Sequence, residues 1–574
     1  MVHLRDITLL HFNDVYHIAD ADHVARFASI MADPSLVTSD VSVPGHQLRL
    51  FSGDAFSPSL EASVLHGGHM PEVLNAMKID VACYGNHDFD FGESRLNDLS
   101  DMTSFPWTLT NVLRDQSQSH SEQKSKLLAR AHEYLVREVA GLRIGFFGLA
   151  GTDWPSNCQH LPSCDIKDPA AFANRTARQL RERERCDLVI ALTHMRLAED
   201  MAVSKSTQTG SGRIDLLLGG HDHDIVQRAF TDSDTNPNVV REGSHPGDGA
   251  VLSPLGDVHI VKSGTDWKGL SIMRLRVAKY PDGTSSILHT KLTQVPDIKS
   301  LPNYAKIPPC PKTSQVIAGV QAKVAKMVAK PLVMTDVPLE GRTAVVRSRE
   351  ANLGNMLADI VRSFYNTDIA FVNSGAIRCD RIINPGPDEP MLIRDIIDIS
   401  PFDNAFVVKR VSGRVLAEAL ENSVSDAHTD GRFLQTSGLG MTVDWTCSEG
   451  KRVSDIVYMP RNSPPRLVAP ETTYTVAMVD FIASGFDGYS CFRAAESLVD
   501  AEGAMTDTNL LLQVFESTGE GDKDDGGWPI VDENTEGIRR AQKEIIFRRH
   551  PVSGLPVVSP CVEGRIKVIN RPNL

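Results

Sequence analysis

No stretch of the 574 residues approaches the roughly 18 unbroken apolar residues that cross a bilayer, so no membrane span is expected. Signals for export are missing as well. The opening "MVHLRDITLLHFND" carries Arg5 and Asp6 and is apolar too briefly for a signal peptide; it reads as a first strand. The closing "EGRIKVINRPNL" lacks the hydrophobic tail of a lipid-anchor signal. CxxC spacing is absent: the nine cysteines are scattered and odd in number, which fits reduced thiols, although Cys158 and Cys164 could close a small loop in an oxidising compartment. These absences point to the cytoplasm, with export by an unconventional route left open. Positive charge is also in deficit. Lys and Arg total 59 against 73 Asp and Glu, a net of −14, which excludes a nucleic-acid polymer or an acidic membrane face as general partner. An anionic substrate must meet a locally positive site.

The length exceeds what one hydrophobic core serves, so at least two domains are expected. Between residue 6 and about 295, short apolar runs alternate with polar or helical segments: "DITLLHFN", "HQLRLFSG", "IDVACYG", "RIGFFGLAG", "DLVIALTH", "IDLLLGGH" and "VHIVKSG". Several are apolar almost throughout, as strands buried on both faces are, which predicts an α/β sheet architecture. A break follows at "IPPCPKTS", and Val316, Ile317, Val320, Val324, Met327 and Val328 then recur at helical spacing up to Pro331. This is read as a linker helix. A second α/β region follows, with the helix "NLGNMLADIVRSFYN" and the strands "TDIAFVNSG", "NAFVVKRVSG" and "TYTVAMVDFI", and without an internal repeat. The expected boundaries are 1–312, a linker at 313–335, and 336–574. Segments 116–126, 231–250 and 517–534 read as solvated insertions.

Most strands of the first half end in Gly, His, Asp or Asn, and in open α/β sheets ligands bind beyond the strand carboxyl ends. "HFNDVYH" gives Asp14, "FSGD" gives Asp54, "YGNHD" gives Asn86 and His87, "LTHM" gives His194, and "GGHDHD" gives His221 and His223. A lone strand-end His is usually a structural or surface residue. Five termini together supply three imidazoles, two carboxylates and an amide oxygen, a donor set suited to divalent first-row ions.

This ordered set resembles the calcineurin-like metallophosphoesterases, with Asp-x-His, Gly-Asp, Gly-Asn-His-Asp/Glu, His and Gly-His-x-His in order over residues 7–224. The resemblance implies an N-terminal four-layer α/β/β/α metallophosphoesterase domain holding two divalent ions, Zn, Mn or similar. One ion would rest on Asp14, Asp54 and His223, the other on Asp54, Asn86, His194 and His221, with a hydroxide between them attacking phosphorus. His87 would protonate the leaving oxygen, aimed by Asp90. One position departs from the pattern: Tyr16 stands where the first motif has His, and His17 comes one residue later. Tyr16, His17 or a water could fill that place.

The second half, through "RSREANLGN", "FVNSGAIR", "SPFDN" and "DFIASGFDGY", resembles the C-terminal substrate-binding domain of the 5'-nucleotidase family. The resemblance implies polar substrate contacts at Arg347, Asn373 and Arg378, a base-stacking pair at Phe402 and Phe481, and a ribose-binding acid at Asp487. It therefore implies removal of the 5'-phosphate from nucleoside monophosphates, hinge motion about the linker helix, and a nucleotide as the partner. Alternatives are a broader hydrolase of UDP-sugars, nucleoside diphosphates or 2',3'-cyclic nucleotides, or a nucleotide sensor with weakened catalysis. The sequence leaves metal identity, base preference and oligomeric state open.

Overall fold

The computed structural model describes residues 2–114, 126–158, 160–229, 251–253, 258–386, 388–402, 404–501, 503–516 and 533–570. Apart from Lys126, Glu533 and Asn534, the three expected insertions lie outside the described residues. The chain divides into two compact units, Met1–Val324 and Ala325–Leu574. No helix among the described residues is long and apolar enough to cross a membrane.

The first unit is built on strands β1 (His3–Phe12), β2 (Gln47–Ser52), β3 (Val81–Cys83), β4 (Leu142–Ala150), β5 (Leu188–His194) and β6 (Leu216–Gly219). Strands β1, β2 and β3 run side by side and parallel in a seven-stranded sheet, with Phe12 opposite Phe51 and Ser52 opposite Cys83. Strands β4, β5 and β6 do the same in a six-stranded sheet, with Ala150 opposite His194 and Thr193 opposite Gly219. Strands β3, β5 and β6 are buried end to end and β1 from Ile7 onward, which explains the near-continuous apolar runs. In-register parallel strands end together. Their terminal loops therefore gather at one edge of each sheet.

Three cores stack these sheets between helices. Helix α1 (Ala21–Ala32) packs Val24, Phe27, Ile30 and Met31 against Leu10, Phe12 and Phe51 on one face of the first sheet. Ile7, Leu9, Leu50 and Val81 meet Ile144, Leu188, Ile190 and Leu218 between the sheets. On the far face, Ala173, Ala177 and Leu180 of α2 (Pro169–Glu182) and Val203 of α3 (Leu197–Ser206) cover Phe147, Val189 and Leu217. The order is α/β/β/α. Side chains such as Phe27 and Ile190 are fully buried, worth about 1.5–3 kcal/mol each in apolar transfer.

The helix expected near residues 315–330 is α4, Pro311–Met327. It starts earlier because Pro311 suits the first turn, where a missing N–H costs nothing. Ile317 and Val320 bury into the first unit's core, and the division between units falls within the helix, after Val324. Pro331 opens a strand, Pro331–Thr335, four residues beyond the helix end.

The second unit has a five-stranded sheet in the order Leu434–Ser437, Ile369–Asn373, Thr473–Val479, Phe406–Ser412 and Glu496–Val499. Helix Asn352–Tyr365 buries Leu353, Met356, Leu357, Ile360, Val361 and Phe364, the periodic positions of its sequence. Asn366 follows it in the left-handed conformation, a conformation that often ends helices.

Candidate metal centre

The six expected donors of the first unit emerge from the carboxyl ends of β1, β2, β3, β5 and β6. Asp14, Asp54, Asn86, His194 and His221 are fully buried, whereas the His223 side chain is about a third exposed. Asp14, Asp54 and His194 form the tightest group, with one ligand atom from each inside a 4.8 Å span. His194 Nε2 lies 3.1 Å from Asp54 Oδ2 and 3.9 Å from Asp14 Oδ1, and His223 Nε2 lies 3.3 Å from Asp14 Oδ1. The His194 and His221 ring centroids are 5.0 Å apart.

Backbone conformation marks the same residues. Asp14, Asp54, His221 and His223 all have positive φ, at 52°, 61°, 79° and 60°. Non-glycine residues rarely adopt this left-handed region, and such strain clusters where surrounding structure holds side chains for a task. Gly85 makes the approach feasible: a Cβ there would overlap the Asp54 carboxylate.

Hydrogen bonds decide which atom each ligand keeps available. His194 Nδ1 is 2.7 Å from Ser52 O, His221 Nε2 is 2.9 Å from Asp153 Oδ2, and Asn86 Nδ2 donates to Asn157 O. Two of the opposite atoms, His221 Nδ1 and Asn86 Oδ1, are buried and have no hydrogen-bond partner among the described residues, and the third, His194 Nε2, faces the Asp54 carboxylate. Buried polar atoms are normally satisfied, and two unsatisfied lone pairs beside clustered carboxylates fit a cation. Electrostatics agree. Burial lowers the His194 imidazole, but the Asp54 and Asp14 carboxylates outweigh it and push it up to about 9. Burial raises Asp14, and His194 and His223 hold it well below the usual carboxylate range. The cluster attracts positive charge.

His87 sits beside this cluster. Its Nδ1 lies 2.8 Å from Asp90 Oδ2, and its backbone N–H donates to Asp54 Oδ1 at 2.9 Å. The ring is nearly buried and meets Tyr16 edge-on with centroids 6.3 Å apart.

Sequence reasoning missed two supporting acids. Asp153 accepts from Arg196 Nε and Asn157 Nδ2 besides facing His221, and burial, which raises it, is overcome by His221 and Arg196 so that it falls to about 2. Its signal was weak, because "GTDWPSN" carries no metal-ligand pattern. Asp88 accepts from the backbone N–H groups of Asp54, Ala55 and Gly85, tying two motif loops together. Burial and then Asp54 push its carboxyl up to about 7. The acidic residue closing the Gly-Asn-His-Asp stretch was visible but had been given no task. Tyr16, left open by the sequence, turns inward and His17 outward, where it pairs with Asp266.

In the second unit, Phe402 and Phe481 are 53% and 41% exposed, so neither is a core aromatic. The Arg378 guanidinium lies 5.1 Å from the Phe402 ring centroid. Phe481 stacks on Phe486, with centroids 4.9 Å apart and planes 15° from parallel; Phe486 had not been singled out. Asn373 ends its strand with Oδ1 buried and without a hydrogen-bond partner among the described residues. Arg347 Nη1 donates to Thr429 O at 2.7 Å. Asp487 has φ 50°, and burial followed by Asp430 raises its carboxyl. The structure thus pairs Arg378 with Phe402 and puts Arg347 within electrostatic reach of Asp487, while Phe481 stacks on Phe486.

The first unit is thus a four-layer α/β/β/α sandwich whose parallel strands end in buried carboxylates, imidazoles and an amide. The profile of the 5'-nucleotidase C-terminal domain matches residues 330–494. Over those residues the chain is similar to the C-terminal domain of the 5'-nucleotidases. It is 26% identical over 527 residues to the trifunctional nucleotide phosphoesterase protein YfkN of Bacillus subtilis, covering 86% of this chain and 33% of that one. It is 24% identical to a Vibrio cholerae 5'-nucleotidase, over 84% of this chain and 85% of that one. Among solved structures, Haemophilus influenzae NAD nucleotidase shares the fold, with a TM-score of 0.64 at 17% identity over 98% of this chain and 99% of that one. The chain spans a third of the Bacillus protein and most of the Vibrio one.

Proposed function

We propose that this chain is a metal-dependent phosphohydrolase that removes the 5'-phosphate from nucleoside monophosphates. The observation that carries the reading is the buried convergence of Asp14, Asp54 and His194 beside the His87–Asp90 pair. Asp14, Asp54 and His223 would hold one metal ion, and Asp54, Asn86, His194 and His221 a second. Ions held there supply charge neutralisation for the phosphoryl oxygens and an acidified water as nucleophile. The Asp54 carboxylate, placed among both sets of donors, would offset the repulsion between two cations. Asp90 would accept a hydrogen bond from the Nδ1–H of a protonated His87, which would leave the Nε2–H to be donated to the departing ribose oxygen. The apposition of acid and imidazole at 2.8 Å keeps that ring oriented before substrate arrives.

Nucleoside recognition is assigned to the second unit. Exposed Phe402 and Phe481 offer faces for a base, each worth about 1–3 kcal/mol in stacking with little preference among bases. Arg347, Asn373 and Arg378 supply polar contacts, and Asp487 the ribose acceptor. A broader nucleotide hydrolase is the second reading, favoured by the relatedness to proteins described as a trifunctional nucleotide phosphoesterase and an NAD nucleotidase.

The test is inorganic phosphate release by the full chain, supplied with Mn²⁺ or Zn²⁺, from AMP, ADP, UDP-glucose and a 2',3'-cyclic nucleotide. Preferred turnover of AMP, with KM raised by Phe402→Ala and Phe481→Ala, is expected. Equal turnover across the panel favours the broader hydrolase, and silence with every substrate and metal rejects both.

A further inference from the structure

We infer that Tyr16 is itself a metal ligand, and that its phenol oxygen makes the first cation position selective for a hard, highly charged ion of the ferric class. The inference deepens the reading of this cluster as a metal centre and rests on it. Tyr16 Oη lies 2.8 Å from His223 Nε2, 3.1 Å from Asp14 Oδ1 and 3.3 Å from Asp54 Oδ2. His223 Nε2 and Asp14 Oδ1 are 3.3 Å apart. Ligands bound at about 2.1 Å stand roughly 3.0 Å from one another in an octahedron and roughly 3.4 Å in a tetrahedron. All four spacings match the edges of such a polyhedron. The phenol touches the same three donors that would hold the first ion.

The fold turns Tyr16 inward deliberately. Asp266 Oδ1 accepts from the backbone N–H groups of both Tyr16 and His17, at 3.2 and 3.0 Å, and its Oδ2 lies 3.0 Å from His17 Nδ1. Trp267 Nε1 donates to His17 O at 2.7 Å. His17 is thereby held at the surface, its side chain about half exposed, and Tyr16 is only 5% exposed.

The consequence is a chemical asymmetry between the two positions. On binding an ion the Tyr16 phenol would release its proton to solvent, and two carboxylates, the resulting phenolate and one imidazole would form a hard set with three anionic oxygens, which suits a trivalent ion. The other position has the shared carboxylate, a neutral amide oxygen and two imidazoles, a softer set suited to a divalent one. A centre of mixed charge follows.

Metal-free full chain titrated with ferric citrate provides the test. A ferric ion bound by phenolate absorbs strongly in the visible. One equivalent should develop this band in the wild type and in His17→Ala, and none should appear in Tyr16→Phe. Tyr16→His, which restores the Asp-x-His spacing, should lack the band and bind Zn²⁺ about tenfold more tightly than Tyr16→Phe in a chelator competition. Persistence of the band in Tyr16→Phe overturns the inference. So does a wild type that takes up two divalent ions and releases phosphate yet gives no ferric band, and in that case the phosphohydrolase reading stands. A chain that binds no ion of either kind removes both.

Discussion

Single side chains in this protein are set by partners one step removed from the chemistry. Asp153 fixes which nitrogen of His221 faces the cluster, and Asn157, which donates to Asp153, also accepts from Asn86. Removing such an outer partner typically costs 10–100-fold in metal affinity. Asp153→Ala is therefore expected to weaken divalent-ion binding by about that factor in competition with a chelator, and unchanged affinity would show that the His221 ring needs no such support. A second residue-scale prediction concerns pH. His259 is buried, with Nδ1 2.7 Å from Ser204 Oγ and Nε2 2.9 Å from Ile214 O, and burial lowers it from an ordinary 6.5 to about 4. The unfolded chain binds this proton more readily than the native one. The stabilisation is complete above the unfolded value and is lost as pH falls from about 6.5 to about 4, an effect of about 3 kcal/mol at 1.36 kcal/mol per unit. Urea unfolding of the first unit should lose that much more stability between pH 7 and pH 4 in the wild type than in His259→Gln. Parallel profiles would contradict it.

Elements position the centre through the register of parallel strands. β1, β2 and β3 in one sheet and β5 and β6 in the other deliver short loops to one edge, and the glycines in those loops let backbone and carboxylate pass closely. Gly85→Ala places a methyl group against the Asp54 carboxylate, so metal uptake and phosphate release should fall at least tenfold. The circular-dichroism spectrum should stay native, because the sheet core is untouched. Retention of full metal uptake would show that Asp54 has room to move. At this scale the sequence was easiest to read. Strands buried on both faces are apolar throughout, and the donors follow them immediately, so the runs ending at Ser52, Cys83 and His194 announced both sheet and site. The start of α4 at Pro311 was harder, since a proline in a first helical turn looks like loop. Asp153 was illegible for a different reason: its role comes from a contact between residues 68 positions apart, not from any local pattern. Tyr16 was legible as a departure but not as a direction, because the loop carrying it is turned by Asp266, 250 residues away.

For the molecule as a whole, two units carry two kinds of side chain: a buried cluster of candidate metal donors in Met1–Val324 and exposed aromatic and basic side chains in Ala325–Leu574. Net charge of −14 makes the first of these a requirement for an anionic substrate, since the bulk of the chain repels it. The account stands or falls on whether that centre binds metal and whether His87 acts there without holding it. The most direct measurement is metal content by elemental analysis, paired with phosphate release from AMP, for the full wild-type chain and for His87→Ala. Two ions per chain in both proteins, with the rate reduced 100-fold or more in the variant, is the predicted result. A wild type that retains no ion, or a variant that keeps its full rate, would contradict it.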